Sequence, residues 1–197
     1  MSKMIIITAP SGAGKTTIVR HLINTFDNLS FSVSATTRSP RKGEVDGIDY
    51  HFLTLRKFKN RIKKGAFAEW EEVYPNKFYG TLKSEIDKKW KKGQDIIFDI
   101  EVKGATNLKK LYGNQALAIF IKAPSLEELI SRLKDRDTES PDALLERLER
   151  AEEELTYESN FDKILVNDQL EEALEQAESI VRNFLENPMS PLENAKR

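Results

Sequence analysis

The sequence predicts an α/β fold built around a mostly parallel sheet of five strands. An apolar run at the amino terminus leads through a glycine-rich turn into an amphipathic segment. Further short apolar runs then alternate with helical segments, which is the pattern of a parallel sheet with helices on its faces. Two stretches, residues 35–90 and 125–158, interrupt this alternation with charged, aromatic and turn residues. At 197 residues the chain suits one domain with insertions.

The core elements follow from apolar runs and helical spacing. Residues 4–7 form an isoleucine-rich run that predicts a buried strand. The apolar residues that follow the glycine turn recur at the spacing of a helix face: Ile18, Val19, Leu22, Ile23 and Phe26. Four further runs predict strands at residues 30–34, 96–100, 117–121 and 163–166, and the last long helix is predicted over residues 170–185.

The two interrupting stretches have their own signals. In the first, short strands are predicted near residues 50–53, 67–74 and 77–81, with a helix over 55–64 that Gly65 closes. In the second, Ser125 and Glu128 have the spacing of a capping box. Ser140 and Pro141 then resemble an N-cap followed by proline at the first helical position. The second stretch is therefore predicted to be a charged, solvated helical hairpin.

Composition excludes several classes of function. The net charge is −1, with 39% hydrophobic and 32% charged residues, which disfavours a nucleic-acid polymer as partner but allows small anionic ligands. The absence of cysteine excludes disulfides and thiolate chemistry, and two histidines are too few for a histidine-rich metal site. The apolar run near the amino terminus is too short for a signal peptide or a membrane span, so we expect a cytoplasmic protein without a membrane partner.

The glycine turn carries a phosphate-binding pattern. Apart from its first position it matches G-x-x-x-x-G-K-[ST], through Ala9, Pro10, Ser11, Gly12, Ala13, Gly14, Lys15 and Thr16. Glycines let backbone N–H groups converge on phosphate, the lysine reaches the β- and γ-phosphates, and the hydroxyl of Thr16 suits Mg²⁺. Ala9 replaces the usual first glycine, and we expect it to adopt ordinary β-region angles.

Motifs in several separate regions resemble the guanylate kinase family. They stand, in order, at residues 33–44 (VSATTRSPRKGE), 46–52 (DGIDYHF), 69–70 (EW), 79–81 (YGT), 99–104 (DIEVKG), 132–133 (RL) and 166–168 (VND). The resemblance covers about residues 4–185. It implies transfer of the γ-phosphoryl group of ATP to GMP or dGMP with Mg²⁺.

The same resemblance implies an architecture and a set of site residues. The P-loop kinase core would span residues 1–34, 91–124 and 159–190, with a mixed α/β GMP-binding lobe at 35–90 and a short helical lid at 125–158. ATP would be bound by the phosphate loop, from Ala9 to Thr17, and by Arg132, Arg136 and Asn167. The GMP phosphate would be held by Arg38, Arg41, Tyr50 and Tyr79, and the guanine by Ser34, Glu69, Thr81 and Asp99. The catalytic groups would be Lys15, Arg38, Arg132, Arg136 and Arg147, with Thr16 and, through water, Glu101 at the Mg²⁺.

Elementary chemistry supports several of these roles. Guanidinium forks bind phosphate oxygens in pairs, and Arg38 and Arg41 stand three residues apart around Pro40. Guanine presents N–H donors on its Watson–Crick edge, which carboxylates such as Glu69 and Asp99 can accept. Asp99 also ends a predicted parallel strand, where ligands bind in open α/β sheets. Arg150, among many acidic residues, is instead predicted to lie on a solvated, charge-paired helix face.

Two other functions remain open at this level. A P-loop kinase for another small acceptor, such as a ribose phosphate, would keep the ATP loop but lack the guanine-reading residues. A non-enzymatic module that resembles the same fold could bind phosphopeptides, although such modules generally have degraded phosphate loops. No obligate protein partner is evident from the sequence.

Overall fold

The computed structural model describes residues 2–134 and 141–187, with residues 141–146 described as helix backbone only. Nine strands lie in these ranges: β1 Met4–Thr8, β2 Leu29–Phe31, β3 Ala35–Thr36, β4 His51–Phe52, β5 Phe67–Tyr74, β6 Lys77–Leu82, β7 Asp95–Asp99, β8 Ala116–Lys122 and β9 Lys163–Val166. Seven α-helices accompany them: α1 Lys15–Thr25, α2 Leu55–Lys63, α3 Lys83–Trp90, α4 Val102–Tyr112, α5 Leu126–Lys134, α6 Pro141–Leu155 and α7 Leu170–Glu186.

The predicted five-stranded sheet is present and is parallel throughout. Its order is β2-β7-β1-β8-β9, so the strand that precedes the phosphate loop lies at the centre. The side chains of β1 are buried along its whole length. This explains why the strand reads as an unbroken apolar run, since helices cover both faces of a parallel sheet.

Alternate residues of the central strand pack into different cores. Ile5 and Ile7 lie in the core that includes Leu22 of α1 and Val181 of α7. Met4 and Ile6 face the opposite way, into the core that contains Ile86 of α3 and Leu108 of α4. The two-residue period of a strand thus anchors both helical layers to β1, and all parallel strands present their carboxyl ends at one edge.

A second sheet forms the predicted insertion. Its order is β4-β3-β6-β5, with β3 parallel to β4 and antiparallel to β6. Beneath it, Phe58 of α2 stacks on Phe67 with ring centroids 4.4 Å apart and also contacts Phe78 at 5.6 Å. This small aromatic core fixes the sheet that carries Glu69, Tyr79 and Thr81, three of the residues predicted to bind GMP.

The predicted strand at residues 30–34 is wrong in its extent. Strand β2 ends at Phe31, and the Ser32 N–H makes one further bond to the Ile97 carbonyl. The chain then crosses to the second sheet, where Ala35 pairs with Gly80. Ser34 therefore lies at the junction of the two sheets, because its neighbours are hydrogen-bonded to different ones.

The helical hairpin is also present, with one difference at its start. The Ser125 hydroxyl accepts a hydrogen bond from the Glu128 backbone N–H at 3.2 Å, as a capping box requires. The Glu128 carboxylate instead accepts from Arg132 Nε at 2.7 Å, so the reciprocal half of the box is replaced by an ion pair. Helix α6 begins at Pro141 as predicted, whereas Ser140 lies outside the described residues. No helix in residues 2–134 and 141–187 is long and apolar enough to cross a membrane.

Candidate active site

The phosphate loop connects β1 to α1 with the backbone that the pattern predicts. Gly12 and Gly14 have φ of 91° and 92°, values that side chains other than glycine rarely adopt. Gly14 directly precedes α1 without any side-chain cap, so no capping side chain competes with an anion for the first N–H groups of the helix. Asn167 Nδ2 donates to the Ala13 carbonyl at 2.9 Å, and a Cβ on Gly14 would collide with this amide. Gly14 is thus required both by its backbone angle and by the close approach of Asn167.

Ala9 fits the loop without strain. The one non-glycine residue with positive φ in the described ranges is Asn76, so Ala9 keeps a negative φ, as predicted. Its methyl group is buried and packs in the core beneath the sheet. Ala9 also borders the main cavity, so the loop accommodates alanine in place of glycine without a positive φ.

The loop opens into a cavity of about 340 Å³ at the carboxyl ends of the parallel strands. Its walls come from both sheets and from helix α6, and its residues outside the phosphate loop are Arg41, Tyr50, Val73, Tyr74, Tyr79, Asp99, Glu101, Arg147, Arg150 and Glu154. Residues that the sequence assigned separately to ATP, GMP and the lid thus share one cavity. Its volume lies within the range of small-ligand sites.

Lys15 and Asp99 form an ion pair across this cavity. The lysine Nζ lies 2.6 Å from Asp99 Oδ1 and also approaches the Ile100 carbonyl at 3.4 Å. Burial by itself would lower the pKa of Lys15, but the Asp99 and Glu101 carboxylates outweigh burial and raise this pKa well above its usual range. Lys15 therefore remains a cation, with its charge balanced by an acid predicted to bind the other substrate.

A smaller pocket of about 50 Å³ adjoins the main cavity and ends at Glu69. The two spaces share Lys15, Tyr50, Tyr79, Asp99 and Glu101 in their walls. Glu69 is only 7% exposed, and its Oε1 accepts a hydrogen bond from the Thr81 hydroxyl at 2.6 Å. Ser34 also lines the pocket. Thr81, which is fully buried, reaches the pocket through its bond to Glu69.

Gly104 is a residue of this pocket to which sequence reasoning gave no role. It lies in helix α4, and a Cβ built there would stand 2.6 Å from Glu69 Oε2. Glycine inside a helix lowers helix stability by about 1 kcal/mol relative to alanine, so its presence at a buried position has a structural reason. Here the reason is room for the Glu69 carboxylate.

Burial raises the pKa of Glu69 to about 7, although hydrogen bonds from Thr81 act in the opposite direction. The folded chain therefore holds a proton that the unfolded chain releases near its ordinary pKa of 4.5. By linkage, the free energy of unfolding should decrease as pH rises from about 4.5 to about 7.

A Glu69→Gln variant should lose this dependence, because the amide stays neutral throughout. As pH rises from 5 to 8, the free energy of unfolding of wild type should fall by roughly 2–3 kcal/mol relative to that of the variant. Urea unfolding at both pH values measures the difference. Parallel pH profiles for the two proteins would show that Glu69 is already ionised in the folded state at low pH.

Arg38 is held in place by a residue the sequence reasoning did not single out. Its Nη1 and Nη2 donate to the two carboxylate oxygens of Glu44, each at 2.8 Å, and its guanidinium lies 5.2 Å from the centre of the Tyr50 ring. The Arg38 hydrogen bonds lower the pKa of Glu44 to about 2. Glu44 stands within the motif at residues 33–44, but nothing in the spacing there marks it as the arginine's partner.

The neighbouring groups predicted for the GMP phosphate do converge on the cavity. Arg41, Tyr50 and Tyr79 line it, and the rings of the two tyrosines meet edge to face at 6.0 Å. Burial, followed by the charge of Asp99, raises the pKa of Tyr50. Its hydroxyl therefore keeps the proton that a phosphate oxygen could accept.

The lid arginines take different positions. Arg132 Nη1 donates to the Asn167 carbonyl at 2.9 Å, which joins α5 to the strand end beside the phosphate loop. Arg147 lines the main cavity, whereas Arg136 lies outside the described residues. Arg150 also lines the cavity, with its side chain 23% exposed, so the prediction of a solvated face was wrong for this residue. Its three-residue spacing from Arg147 on one helix was the available signal.

Thr16 and Glu101 both border the main cavity, which is where they would be needed for a metal ion. In residues 2–134 and 141–187, no group of three or more acidic, histidine or cysteine side chains converges as a metal cage. The pair of Thr16 and Glu101 fits Mg²⁺, which is usually held by one or two protein ligands together with waters and substrate phosphates.

Comparison with known proteins identifies the family. The family model described as guanylate kinase matches residues 1–184. A guanylate kinase of Bacteroides thetaiotaomicron is 46% identical over 183 residues, which cover 93% of this chain and 90% of the relative. A guanylate kinase of Porphyromonas gingivalis is 47% identical, covering 94% of this chain and 99% of the relative. The crystal structure of guanylate kinase from Anaplasma phagocytophilum superposes with a TM-score of 0.75 at 26% identity and covers 95% of this chain and 88% of that one. The chain, with its phosphate loop, buried carboxylate pocket and helical hairpin around one cavity, therefore belongs to the guanylate kinase family.

Proposed function

We propose that this chain transfers the γ-phosphoryl group of ATP to GMP, and also to dGMP, giving ADP and the nucleoside diphosphate. The observation that carries the proposal is the junction of the two cavities. The phosphate-loop cavity opens directly into the pocket that ends at Glu69, and both share Lys15, Tyr50 and Asp99. A triphosphate on the loop and a monophosphate with its base in the smaller pocket would place their phosphates together.

On the donor side, backbone N–H groups of the loop and of the first turn of α1 bind the phosphates. Lys15 exchanges its contact with Asp99 for the β- and γ-phosphates when ATP enters. The 2.6 Å pair with Asp99 keeps the lysine charged and near that position beforehand. Arg132 and Asn167 border the loop from the other side and support ATP.

Mg²⁺ is the proposed cofactor. The Thr16 hydroxyl would coordinate it, and Glu101 would act through a bound water. The ion would supply positive charge to the phosphates of ATP.

On the acceptor side, Glu69 and Asp99 read the guanine. An ionised Glu69 accepts from the N–H donors of the guanine edge, and Thr81 fixes one of its oxygens at 2.6 Å. Adenine would present a lone pair to the same carboxylate, which leaves a buried charge without a donor and disfavours AMP. Ser34 completes the base pocket.

The GMP phosphate is proposed to lie between Arg41, Tyr50 and Tyr79, with Arg38 behind them. The Glu44 carboxylate holds the Arg38 guanidinium beside the Tyr50 ring, so that the arginine needs only to exchange a hydrogen bond with Glu44 for one with the phosphate. Two cations and two neutral hydroxyl donors suit a phosphate dianion.

Transfer is in line. A GMP phosphate oxygen attacks the γ-phosphorus, a new P–O bond forms, and the bond from that phosphorus to the β,γ-bridging oxygen breaks with its electrons leaving on ADP. Lys15, Arg38 and the lid residues Arg132, Arg136 and Arg147 provide positive charge around the moving group. Closure of the GMP-binding lobe (35–90) and the lid (125–158) over the core excludes water and limits hydrolysis of ATP.

We propose that the enzyme acts in the cytoplasm. Its substrates would be ATP and either GMP or dGMP, and the reaction would require no protein partner. A kinase for another acceptor is the second candidate. Glu69 argues against a ribose phosphate as the acceptor, because its buried carboxylate has no evident use without a base that donates hydrogen bonds.

A steady-state assay with several acceptors tests the proposal. GMP and dGMP should stimulate ADP formation, whereas AMP, UMP and ribose phosphates should not. Glu69→Gln should lower kcat/KM for GMP by ~10- to 100-fold and leave ATP binding unchanged. The glutamine amide has one acceptor oxygen where the carboxylate has two, so it cannot accept hydrogen bonds from both N–H donors of the guanine edge. Glu72→Gln, an exposed site on the same strand, is the matched control. Turnover with another acceptor and none with GMP would overturn the proposal.

A further inference from the structure

Arg150 stands where three parts of the molecule meet. It belongs to helix α6, where its Nε donates to Glu154 Oε1 at 2.9 Å. Its Nη2 donates to Glu101 Oε2 at 3.0 Å, in the loop between β7 and α4. Its guanidinium carbon also lies 5.2 Å from the centre of the Tyr74 ring, at the end of β5 in the second sheet. One cation thus contacts the lid, the core and the GMP-binding lobe.

The two carboxylates beside Arg150 would repel each other without it. Glu154 is only 8% exposed. Burial and then the charge of Glu101 raise the pKa of Glu154 to about 7. The electrostatic cost of holding Glu101 and Glu154 near each other is offset by the guanidinium between them. The Arg150 side chain is 23% exposed, so solvent screens these interactions less than at an open surface.

A second ion pair crosses the same junction and provides a comparison. Lys103 Nζ, on α4, lies 3.0 Å from Glu153 Oε1 on α6. Both of these side chains are more than half exposed, at 51% and 56%. Exposed pairs of this kind contribute ~0–1 kcal/mol. Both ion pairs therefore link α6 to the start of α4. The Arg150 pair is the more enclosed of the two, and Arg150 also lies against Tyr74 of the second sheet.

We propose that Arg150 is a positioning residue that sets the separation between helix α6 and the GMP-binding lobe and holds the Glu101 carboxylate at the edge of the phosphate cavity. Its hydrogen bonds at 2.9 Å and 3.0 Å go to the carboxylates of Glu154 and Glu101, and a third partner is the Tyr74 side chain. The effect on turnover rests on the proposed GMP kinase activity, whereas the effect on separation does not.

Arg150→Gln should lower kcat on the order of tenfold, within the range of typical coupling energies between sites. Assayed at a pH well above 7, where Glu154 is ionised, the variant has an unopposed Glu101–Glu154 repulsion that drives α6 away from the core and disfavours the closed state. KM for GMP should change by less than about twofold, because the hydrogen bond between Thr81 and Glu69, which positions the base-reading carboxylate, does not involve Arg150. Arg150→Lys, which keeps the charge but loses the fork, should be intermediate. Glu153→Gln should leave kcat unchanged.

A second-site variant separates positioning from direct catalysis. At the same alkaline pH, where Glu154 is ionised, adding Glu154→Gln to Arg150→Gln removes one of the two repelling carboxylates, so several-fold of the lost kcat should return. If Arg150 instead contacted the transferred phosphoryl group, neutralising Glu154 would restore nothing. Absence of any recovery would therefore overturn the positioning role.

The separation itself can be measured without substrate. The chain contains no cysteine, so one pair of introduced cysteines can carry spin labels without background. Arg56 on α2 and Glu149 on α6 are exposed sites on the two sides. The distance distribution between labels at 56 and 149 should lengthen or broaden in Arg150→Gln and remain unchanged in Glu153→Gln. An unchanged distribution in Arg150→Gln would overturn the proposal. If GMP were not the substrate, activity would be absent in wild type while the distances still responded to Arg150.

Discussion

Lys15→Ala should reduce turnover by ~10²-fold or more with every acceptor the enzyme uses. Lys15 is the enclosed cation of the phosphate loop, and its charge would be lost from the β- and γ-phosphates as they take up negative charge. The fold should persist, because the lysine's described contacts are with Asp99 and the Ile100 carbonyl at the cavity and not with the core. Initial rates at saturating ATP and GMP, with a thermal melt for the fold, measure both effects.

Asp99→Asn is the matched comparison for this variant. It removes the other member of the 2.6 Å pair. If Lys15 worked only by positioning Asp99, the two variants would have the same pattern of defects. We expect different patterns: Asp99→Asn should weaken use of GMP chiefly through KM, whereas Lys15→Ala should lower kcat. Equal and acceptor-specific defects would contradict the role of Lys15 at the donor phosphates.

Gly104→Ala should lower kcat/KM for GMP by ~10²-fold while leaving ATP binding intact, since a 1 Å misplacement of a site group can cost that much. The new methyl group would stand 2.6 Å from Glu69 Oε2 and 3.2 Å from Glu69 Cδ. The carboxylate must move, and its bond to the Thr81 hydroxyl must lengthen or break. Calorimetric titration with GMP, together with steady-state kinetics, measures the loss.

This variant has an unusual signature, because alanine is also the better helix former by about 1 kcal/mol. Stability should therefore change little while the acceptor site fails. Asn107→Ala, at an exposed position of the same helix, raises helix propensity without approaching Glu69 and should leave GMP use unchanged. If Gly104→Ala kept wild-type affinity for GMP, the position of the Glu69 carboxylate would not limit recognition of the base.

Much of the fold was predictable because its signals are local. An unbroken apolar run followed by glycines and an amphipathic segment defines strand, loop and helix through nearby residues alone. The strands β1 and β9 lie within one residue of their predicted bounds. Where partners are remote, the prediction was less accurate. Strand β2 stops early because the chain transfers to a different sheet, an event governed by the pairing of Ala35 with Gly80.

The phosphate loop likewise carries its own chemistry in consecutive residues. The sequence by itself therefore determined the strand, glycine loop and helix and predicted the donor site there, and the resemblance to a known family named the acceptor. Only the tertiary structure decided the contacts between residues that lie far apart in the chain. The pair of Lys15 with Asp99, the room that Gly104 leaves for Glu69, and the placement of Arg150 between Glu101 and Glu154 depend on how strands and helices pack. Side-chain spacing within one helix could place Arg150 beside Arg147, but only packing determines whether that face meets solvent or the cavity. The reason is physical: burial and the distance to a remote charge are properties of the assembled sheets and helices, and no local pattern encodes them.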